Sequence, residues 1–129
     1  YPVIMHQYSG PGSQQVLDKW GIGSFSDGGM FEAVMCDKGY IMVCVDGRGT
    51  GGRGAAFEKC TYLSIGVKEA TDQAEAAKYL STLPYVDGSR IGIWGWSYGG
   101  YNTLMSMSEG SRRIQGRSCH CRSDRLEIL

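Results

Sequence analysis

In the stretch IGIWGWSYGGYNTLMSM, residues 91–107, an apolar run leads through glycines into small and apolar residues. The run predicts a buried β-strand, and the residues after the glycines are compatible with a helix. Gly95, Ser97 and Gly99 satisfy the pattern G-x-S-x-G between these two elements. Glycines allow the sharp turn that lifts a serine hydroxyl clear of a sheet, since bulky neighbours would clash there. The stretch therefore predicts a nucleophilic Ser97; the alternative is a glycine-rich turn with an incidental serine.

Tyr98 follows the serine at the predicted start of the helix. A helix N-terminus presents backbone N–H groups that have no acceptor within the helix, and its dipole favours negative charge. The Tyr98 N–H is therefore a candidate donor to an oxyanion that develops beside Ser97.

The rest of the chain alternates between strand and helix patterns. A β-branched and apolar run predicts a first strand at 2–8, and a continuous apolar run at 40–45 predicts a parallel strand covered on both faces. Helical spacing of apolar residues predicts helices at 29–38, ended by Gly39 as a C-terminal cap, and at 66–81. Alternation of this kind predicts an α/β fold, with a mostly parallel sheet and helices on both faces.

The helix at 66–81 has the clearest pattern. We expect its apolar residues to face the core and its charged residues to face solvent, Asp72 and Glu75 among them. The apolar set is Val67, Ala70, Ala74, Ala77 and Leu80, and the charged set is Lys68, Glu69, Asp72, Glu75 and Lys78.

Composition excludes several classes of function. The chain has 129 residues, 42% of them hydrophobic and 20% charged, with a formal net charge of 0. A neutral chain without a basic block up to residue 110 is a poor partner for nucleic acid. No apolar segment approaches the roughly 20 residues of a membrane span, and the start, YPVIMHQYSG, has no signal-peptide pattern. Because that start lacks Met and lies inside a strand pattern, we expect an internal fragment.

The cysteines do not predict a metal site or a disulfide framework. Five is an odd number, and Cys36 and Cys44 are expected to be small buried hydrophobic residues. Cys119 and Cys121 flank His120, but a structural zinc site requires a second pair of ligands that the chain does not offer. We therefore expect no metal and no cofactor.

Three motifs in order resemble one known family. GWSYGGY (95–101), DGRGTG (46–51) and QYSGPGSQ (7–14) look like the α/β-hydrolase domain of the prolyl oligopeptidase family of serine peptidases, within it the dipeptidyl peptidase IV group. The resemblance covers about residues 1–110. It implies release of dipeptides from peptide N-termini, typically after proline or alanine, through an acyl-enzyme on the serine. It also implies a preceding β-propeller, a homodimeric full-length protein and, for bacterial relatives, a periplasmic or secreted location.

The resemblance also assigns roles to individual residues. Ser97 matches the family nucleophile, the Tyr98 N–H one oxyanion donor, and the Tyr8 hydroxyl the second. The alternative for Tyr8 is an ordinary aromatic residue at a strand end, resting on the core. DGRG (46–49) is interpreted as a structural loop after a strand, and Trp94 and Trp96 are interpreted as packing around the turn.

The catalytic base and acid are not found in this chain. A serine hydroxyl needs a histidine oriented by a carboxylate, and in this fold both follow the serine along the chain. After Ser97 the sequence offers only one histidine, His120, and three acidic residues, Glu109, Asp124 and Glu127. These residues follow Ser97 too closely along the chain, because further strands and helices should come between the serine and its acid and base. His6 precedes the serine and lies within a predicted strand, so it is not expected to be the base. We expect the chain alone to be inactive. Rival interpretations are an esterase or acyl-peptide hydrolase on the same fold, or a non-catalytic binding remnant.

The segment 111–129 does not continue the pattern. SRRIQGRSCHCRSDR (111–125) has five arginines where a buried strand should follow. If permissible codons are chosen for Ile114 to Leu129 and the DNA is read one base later, the new sequence has an apolar strand pattern followed by an aromatic-rich stretch. This resembles the family's sequence after the helix that follows the serine. We therefore interpret 1–110 as the N-terminal part of a catalytic domain and 111–129 as an aberrant basic tail, frameshifted or disordered. The alternative is a genuine basic tail that binds an acidic partner.

Overall fold

The computed structural model describes residues 1–19, 29–110, 119–122 and 125–128, with side chains up to residue 108. In chain order the elements are β1 (Val3–His6), α1 (Met30–Asp37), β2 (Ile41–Cys44), α2 (Ala55–Lys59), α3 (Val67–Leu80), β3 (Ile91–Trp94), α4 (Tyr98–Gly110), β4 (Cys119–Arg122) and β5 (Arg125–Ile128). The predicted alternation of strands and helices is confirmed, and the short α2 within the segment after β2 is an addition to it.

Three strands form a parallel sheet in the order β2-β1-β3. Val3 of β1 lies opposite Ile41 and Ile91, and His6 lies opposite Cys44 and Trp94. The carboxyl ends of the three strands therefore meet at one edge, where ligands bind in open α/β sheets. The residues that follow these ends are Gln7 and Tyr8, Val45 and Asp46, and Gly95 to Ser97.

Helices cover both faces of this sheet, as predicted. Alternate side chains of a strand point to opposite faces. On one face Val3, Met5, Ile91 and Ile93 pack with Ala77 and Leu80 of α3. On the other face His6 stacks on Trp94 with ring centroids 4.7 Å apart, and Phe31 of α1 meets the same indole edge-on at 5.3 Å. The α/β expectation is confirmed.

Two elements are less buried than their patterns predict. In β2 only Met42 is fully buried, because β2 is an edge strand of the described sheet, so the expected cover on both faces is wrong there. In α1, Met30 and Val34 are exposed. The C-terminal cap at Gly39 is confirmed: its φ is +85° and its N–H donates to the carbonyl of Cys36 at 2.9 Å.

The buried face of α3 is broader than the apolar pattern suggests. Ala70, Ala74, Ala77 and Leu80 are buried as predicted, but Val67 is exposed and Glu69 and Gln73 have no exposed surface. The predicted burial of the cysteines also needs correction. Cys36 is exposed and Cys44 is half-buried, and Cys36, Cys44 and Cys60 are free thiols. Burial, with the negative charges of Asp46 and Glu32, raises the pKa of the Cys44 thiol to about 12.

Within 111–129 the structure describes only a short antiparallel hairpin of β4 and β5, with Cys119 opposite Ile128. The rest of the predicted tail lies outside the described residues. Over the described part of the chain, no helix has the length and apolar character needed to cross a membrane. Within the same ranges, no three His, Cys, Asp or Glu side chains are grouped as metal ligands.

Candidate active site

Ser97 lies at the turn between β3 and α4. Its φ is +55°, in the left-handed region that residues other than glycine rarely adopt, and the residue is exposed. Two hydrogen bonds fix the turn: the Gly99 N–H donates to the Trp96 carbonyl at 2.8 Å, and the Tyr101 N–H donates to the Ser97 carbonyl at 3.1 Å. The turn therefore holds an exposed serine in a strained backbone conformation, as the sequence predicts.

Gly95 and Gly99 are required because the turn lies directly against the end of β1. A Cβ atom at Gly95 would lie 2.5 Å from the Gln7 carbonyl oxygen and 2.6 Å from the Gly99 carbonyl. A Cβ atom at Gly99 would overlap the same Gln7 oxygen and lie 3.0 Å from Tyr8 Cα. The two glycines of the motif thus bring the backbone beside Ser97 into contact with Gln7 and Tyr8.

The backbone N–H of Tyr98 is the first of helix α4. Such an N–H has no acceptor within its own helix. The carbonyl of Trp94, four residues earlier, instead accepts the Gln7 N–H at 3.1 Å and joins β3 to β1. The Tyr98 N–H therefore points from a helix N-terminus, where negative charge is favoured.

Tyr8 is half-buried and lies beside the turn. Its ring centroid is 6.3 Å from that of Tyr98, and the two rings close over Gly10, where a Cβ atom would lie 2.7 Å from Tyr8 Cε1 and 3.3 Å from Tyr98 Cδ1. Ser9, with φ +59° and no exposed surface, turns the chain away immediately afterwards. The structure thus brings Tyr8, Ser97 and Tyr98 together at the carboxyl edge of the sheet.

A buried polar layer lies beneath this edge. Gln7 Nε2 donates to Thr103 Oγ1 at 3.3 Å, and Ser9 Oγ donates to Gln7 Oε1 at 3.0 Å. Gln73 Nε2 donates to the Val45 carbonyl at 2.9 Å and lies 3.4 Å from Ser9 Oγ. These bonds tie the end of β1 to α3 and α4, and buried polar groups that are paired in this way stabilise one arrangement. The sequence motifs did not reveal the layer.

Glu69 is the second feature that sequence reasoning missed. Its Oε2 accepts the Gly66 N–H at 2.9 Å and its Oε1 accepts the Tyr98 hydroxyl at 3.1 Å. Burial, then the negative charge of Glu69 and this hydrogen bond, raises the pKa of the Tyr98 phenol well above its ordinary value. The only signal available in the sequence was an acidic residue in the first turn of a helix.

The DGRG loop makes structural contacts, as interpreted from the sequence. Asp46 Oδ2 accepts the N–H groups of Gln15 at 2.9 Å and Val16 at 2.8 Å. Arg48 forms a bidentate ion pair with Asp72, with Nη2 2.6 Å from Oδ1 and Nε 3.0 Å from both carboxylate oxygens. The expectation that Asp72 is a solvated helix residue is therefore wrong. Glu75 is exposed, as expected, and pairs with Lys78 at 3.6 Å.

His6 does not have the environment of a catalytic base. It is buried on the sheet against Trp94, and burial lowers its pKa from 6.5 to about 4, an effect that Asp46 partly opposes. Its interpretation as a core histidine is confirmed. The side chains of His120, Glu109 and Glu127, and all of Asp124, lie outside the described residues.

The two tryptophans beside the turn behave differently. Trp94 is buried and packs on His6 and Phe31, as expected. Trp96 is 51% exposed, so its predicted packing role is wrong. The side chain before Ser97 faces solvent because the turn has already left the sheet.

The fold resembles those of solved bacterial proteins. The structure superposes on the crystal structure of Porphyromonas gingivalis dipeptidyl peptidase 4 with a TM-score of 0.77 and 58% identity, over 85% of this chain and 15% of that one. A putative dipeptidyl aminopeptidase IV from Bacteroides ovatus gives a TM-score of 0.77 and 39% identity, over 88% and 16%.

Curated relatives show the same likeness. A probable dipeptidyl-aminopeptidase B of Pyrenophora tritici-repentis is 46% identical over 110 residues, 84% of this chain, and the chain spans 12% of that relative's length. Residues 29–116 match the sequence profile of the Prolyl oligopeptidase family. The fold of the chain is thus that of part of an α/β-hydrolase domain, and the chain belongs to the prolyl oligopeptidase family.

Proposed function

We propose that the full-length protein is a serine peptidase that releases dipeptides from the N-termini of peptides. One observation carries this proposal: Ser97 is exposed at φ +55° in a strand-to-helix turn pressed against the end of β1. The names of the relatives support the release of dipeptides, because a curated relative is named a probable dipeptidyl-aminopeptidase B and a solved structure is named dipeptidyl peptidase 4.

In the proposed mechanism Ser97 Oγ attacks the carbonyl of the second residue of the substrate. The Ser97 proton passes to a histidine base, and the carbonyl oxygen becomes an oxyanion that accepts hydrogen bonds from the Tyr98 N–H and the Tyr8 hydroxyl. Collapse of this intermediate breaks the peptide bond, transfers the proton to the leaving amine and leaves the dipeptide as an ester on Ser97. Water then releases the dipeptide.

The 129-residue chain supplies the nucleophile and the oxyanion donors of this mechanism. His6 is buried and stacked, so it does not supply the base. A serine without a base is a poor nucleophile at neutral pH. We therefore propose that the chain alone has no peptidase activity above background.

The test compares hydrolysis of a Gly-Pro amide by the full-length protein, its Ser97→Ala variant and the 129-residue chain. We expect turnover only from the full-length protein, and none on the same amide with its amino group acetylated. Equal turnover on the acetylated amide would instead indicate an acyl-peptide hydrolase or esterase. Turnover by the 129-residue chain that is lost in Ser97→Ala would contradict its proposed inactivity.

A further inference from the structure

Glu69 is a buried carboxylate in a position where the helical pattern predicts a solvated one. It lies in the first turn of α3 and has no exposed surface. Burying a charged group is costly unless its oxygens are hydrogen-bonded. Each Glu69 oxygen has one donor, the Gly66 N–H on one side and the Tyr98 hydroxyl on the other. The second donor belongs to the residue that directly follows the proposed nucleophile.

We propose, on the basis of the proposed function, that Glu69 is a positioning residue for acyl transfer. Its carboxylate holds the Tyr98 side chain, and through that side chain it aligns the start of α4 and the Tyr8 ring with Ser97.

The contacts around Tyr98 show how this positioning works. The Tyr98 ring contacts Tyr8 and Tyr101, with centroids 6.3 Å and 5.7 Å apart, and lies over Gly10 beside the Tyr8 ring. A shift of the Tyr98 ring therefore moves the surface that the Tyr8 ring packs against. The same shift turns the first residue of α4, whose N–H is the other proposed oxyanion donor. A misplacement of about 1 Å can cost on the order of 100-fold in rate.

Glu69 also lies close to the loop that follows β2. A Cβ atom at Gly49 would lie 3.5 Å from Glu69 Oε1 and 3.0 Å from Thr61 Cγ2. The Gly66 N–H and the Gly49 backbone thus hold the carboxylate from the side of α3 and this loop, without any contact to the serine turn. A fixed acceptor is what a positioning role requires.

The alternative is that Glu69 only caps helix α3 through the Gly66 N–H. This bond is the familiar contact of an acidic third residue with the residue that precedes the helix. A capping role predicts a loss of stability when Glu69 is changed, but it predicts no effect on turnover by the folded protein and no dependence on the Tyr98 hydroxyl.

Two substitutions separate these roles. In Glu69→Gln the amide oxygen can still accept the Gly66 N–H, but the group facing Tyr98 is then an NH2 donor, so the Tyr98 hydroxyl loses its charged acceptor. Tyr98→Phe removes the hydroxyl alone and leaves the Gly66 bond intact. Both changes remove the hydrogen bond that the Tyr98 hydroxyl donates to a carboxylate, and the double variant has no further bond of this kind to lose. Glu75→Gln, on the exposed side of α3, is the matched control.

The experiment measures kcat, KM and melting temperature for these four variants of the full-length protein on a Gly-Pro amide. We expect each single variant to lower kcat by on the order of 10- to 100-fold with a smaller change in KM. The double variant should match Tyr98→Phe, and Glu75→Gln should keep the kcat of the unmodified protein.

Three results would overturn the proposal. In the first, Glu69→Gln melts earlier but keeps the original kcat. In the second, the two single losses multiply in the double variant, so that the residues act independently. In the third, Tyr98→Phe keeps full kcat, a result that stands even if Glu69→Gln does not fold. Turnover that persists in Ser97→Ala is a separate result, which overturns the proposed function and this proposal together.

Discussion

Removal of the Tyr8 hydroxyl tests the proposed oxyanion site. The Tyr8 backbone contacts the serine turn at Gly99, and its ring lies beside that of Tyr98. Replacement by Phe removes the hydroxyl and keeps the ring contact with Tyr98. We expect Tyr8→Phe in the full-length protein to lower kcat by about 100- to 1,000-fold, the usual cost of one oxyanion donor. Steady-state kinetics on a Gly-Pro amide measure this, and an unchanged kcat would remove Tyr8 from the mechanism.

His6 makes stability depend on pH. Burial lowers its pKa from 6.5 to about 4, so between these pH values the unfolded chain binds a proton that the folded chain does not. The free energy of unfolding therefore rises as the pH is raised from about 4 to 6.5, and this group contributes up to about 3 kcal/mol of that rise.

The matched variant for this effect is His6→Phe, which keeps an aromatic ring beside Trp94 and cannot be protonated. Urea unfolding at several pH values between 4 and 6.5 measures how steeply the free energy of unfolding rises with pH. We expect the free energy of unfolding to rise less steeply with pH in His6→Phe than in the unmodified chain. Identical slopes in the two proteins would show that His6 is not the group responsible.

The turn between β3 and α4 has no room for side chains at Gly95 and Gly99. A methyl group at Gly95 would lie 2.5 Å from the Gln7 carbonyl oxygen, which belongs to fixed backbone. We expect Gly95→Ala to lower the free energy of unfolding by about 1–3 kcal/mol, the usual cost of overpacking. It should also reduce reactivity at Ser97.

Gly51→Ala is the control for this element. The nearest atoms to a Cβ at Gly51 are the carbonyl oxygens of Gly12 and Ser13, both at 3.7 Å, which is an ordinary contact distance. Its stability should stay within about 0.5 kcal/mol of the original. Urea unfolding of both variants checks the pair, and a Gly95→Ala protein as stable as Gly51→Ala would contradict the close approach described for the turn.

Helix α3 illustrates which structural features the sequence can predict. The spacing of Ala70, Ala74, Ala77 and Leu80 correctly predicts the helix and its core face, because an apolar stripe has to be buried. The same spacing assigns Glu69 and Asp72 to solvent, and both assignments are wrong. Their partners, Tyr98 and Arg48, lie far along the chain, and a local period carries no information about donors that tertiary folding brings near.

The serine turn was predictable for a different reason. Part of its crowding lies within the motif itself, because a Cβ atom at Gly95 would lie 2.6 Å from the Gly99 carbonyl, so the pattern G-x-S-x-G encodes the turn locally. The contact between the turn and Gln7 was not predictable in detail, because it depends on the order β2-β1-β3, which places β1 beside β3. Burial of the Gln7, Ser9 and Gln73 side chains follows from the same order and from no local signal.

For the whole molecule, the sheet accounts for how distant residues form one site. Parallel pairing of β1 with both neighbours aligns the three carboxyl ends, so Tyr8, the DGRG loop and Ser97 lie at one edge. The family assignment follows from residues 29–116, while the chain spans 12% of its Pyrenophora tritici-repentis relative. The proposed nucleophile Ser97 and the proposed oxyanion donors of Tyr8 and Tyr98 thus lie together at this edge of the sheet.

We propose that Ser97 forms the acyl-enzyme, and a covalent adduct mapped to a single residue shows whether it does. The full-length protein is treated with a Gly-Pro phosphonate ester, digested with trypsin and analysed by mass spectrometry. We expect one adduct, on Ser97 in the peptide that begins at Ile91, with loss of activity in proportion to labelling and no labelling of the 129-residue chain. An adduct on another residue, or full inhibition with Ser97 unmodified, would show that Ser97 is not the nucleophile.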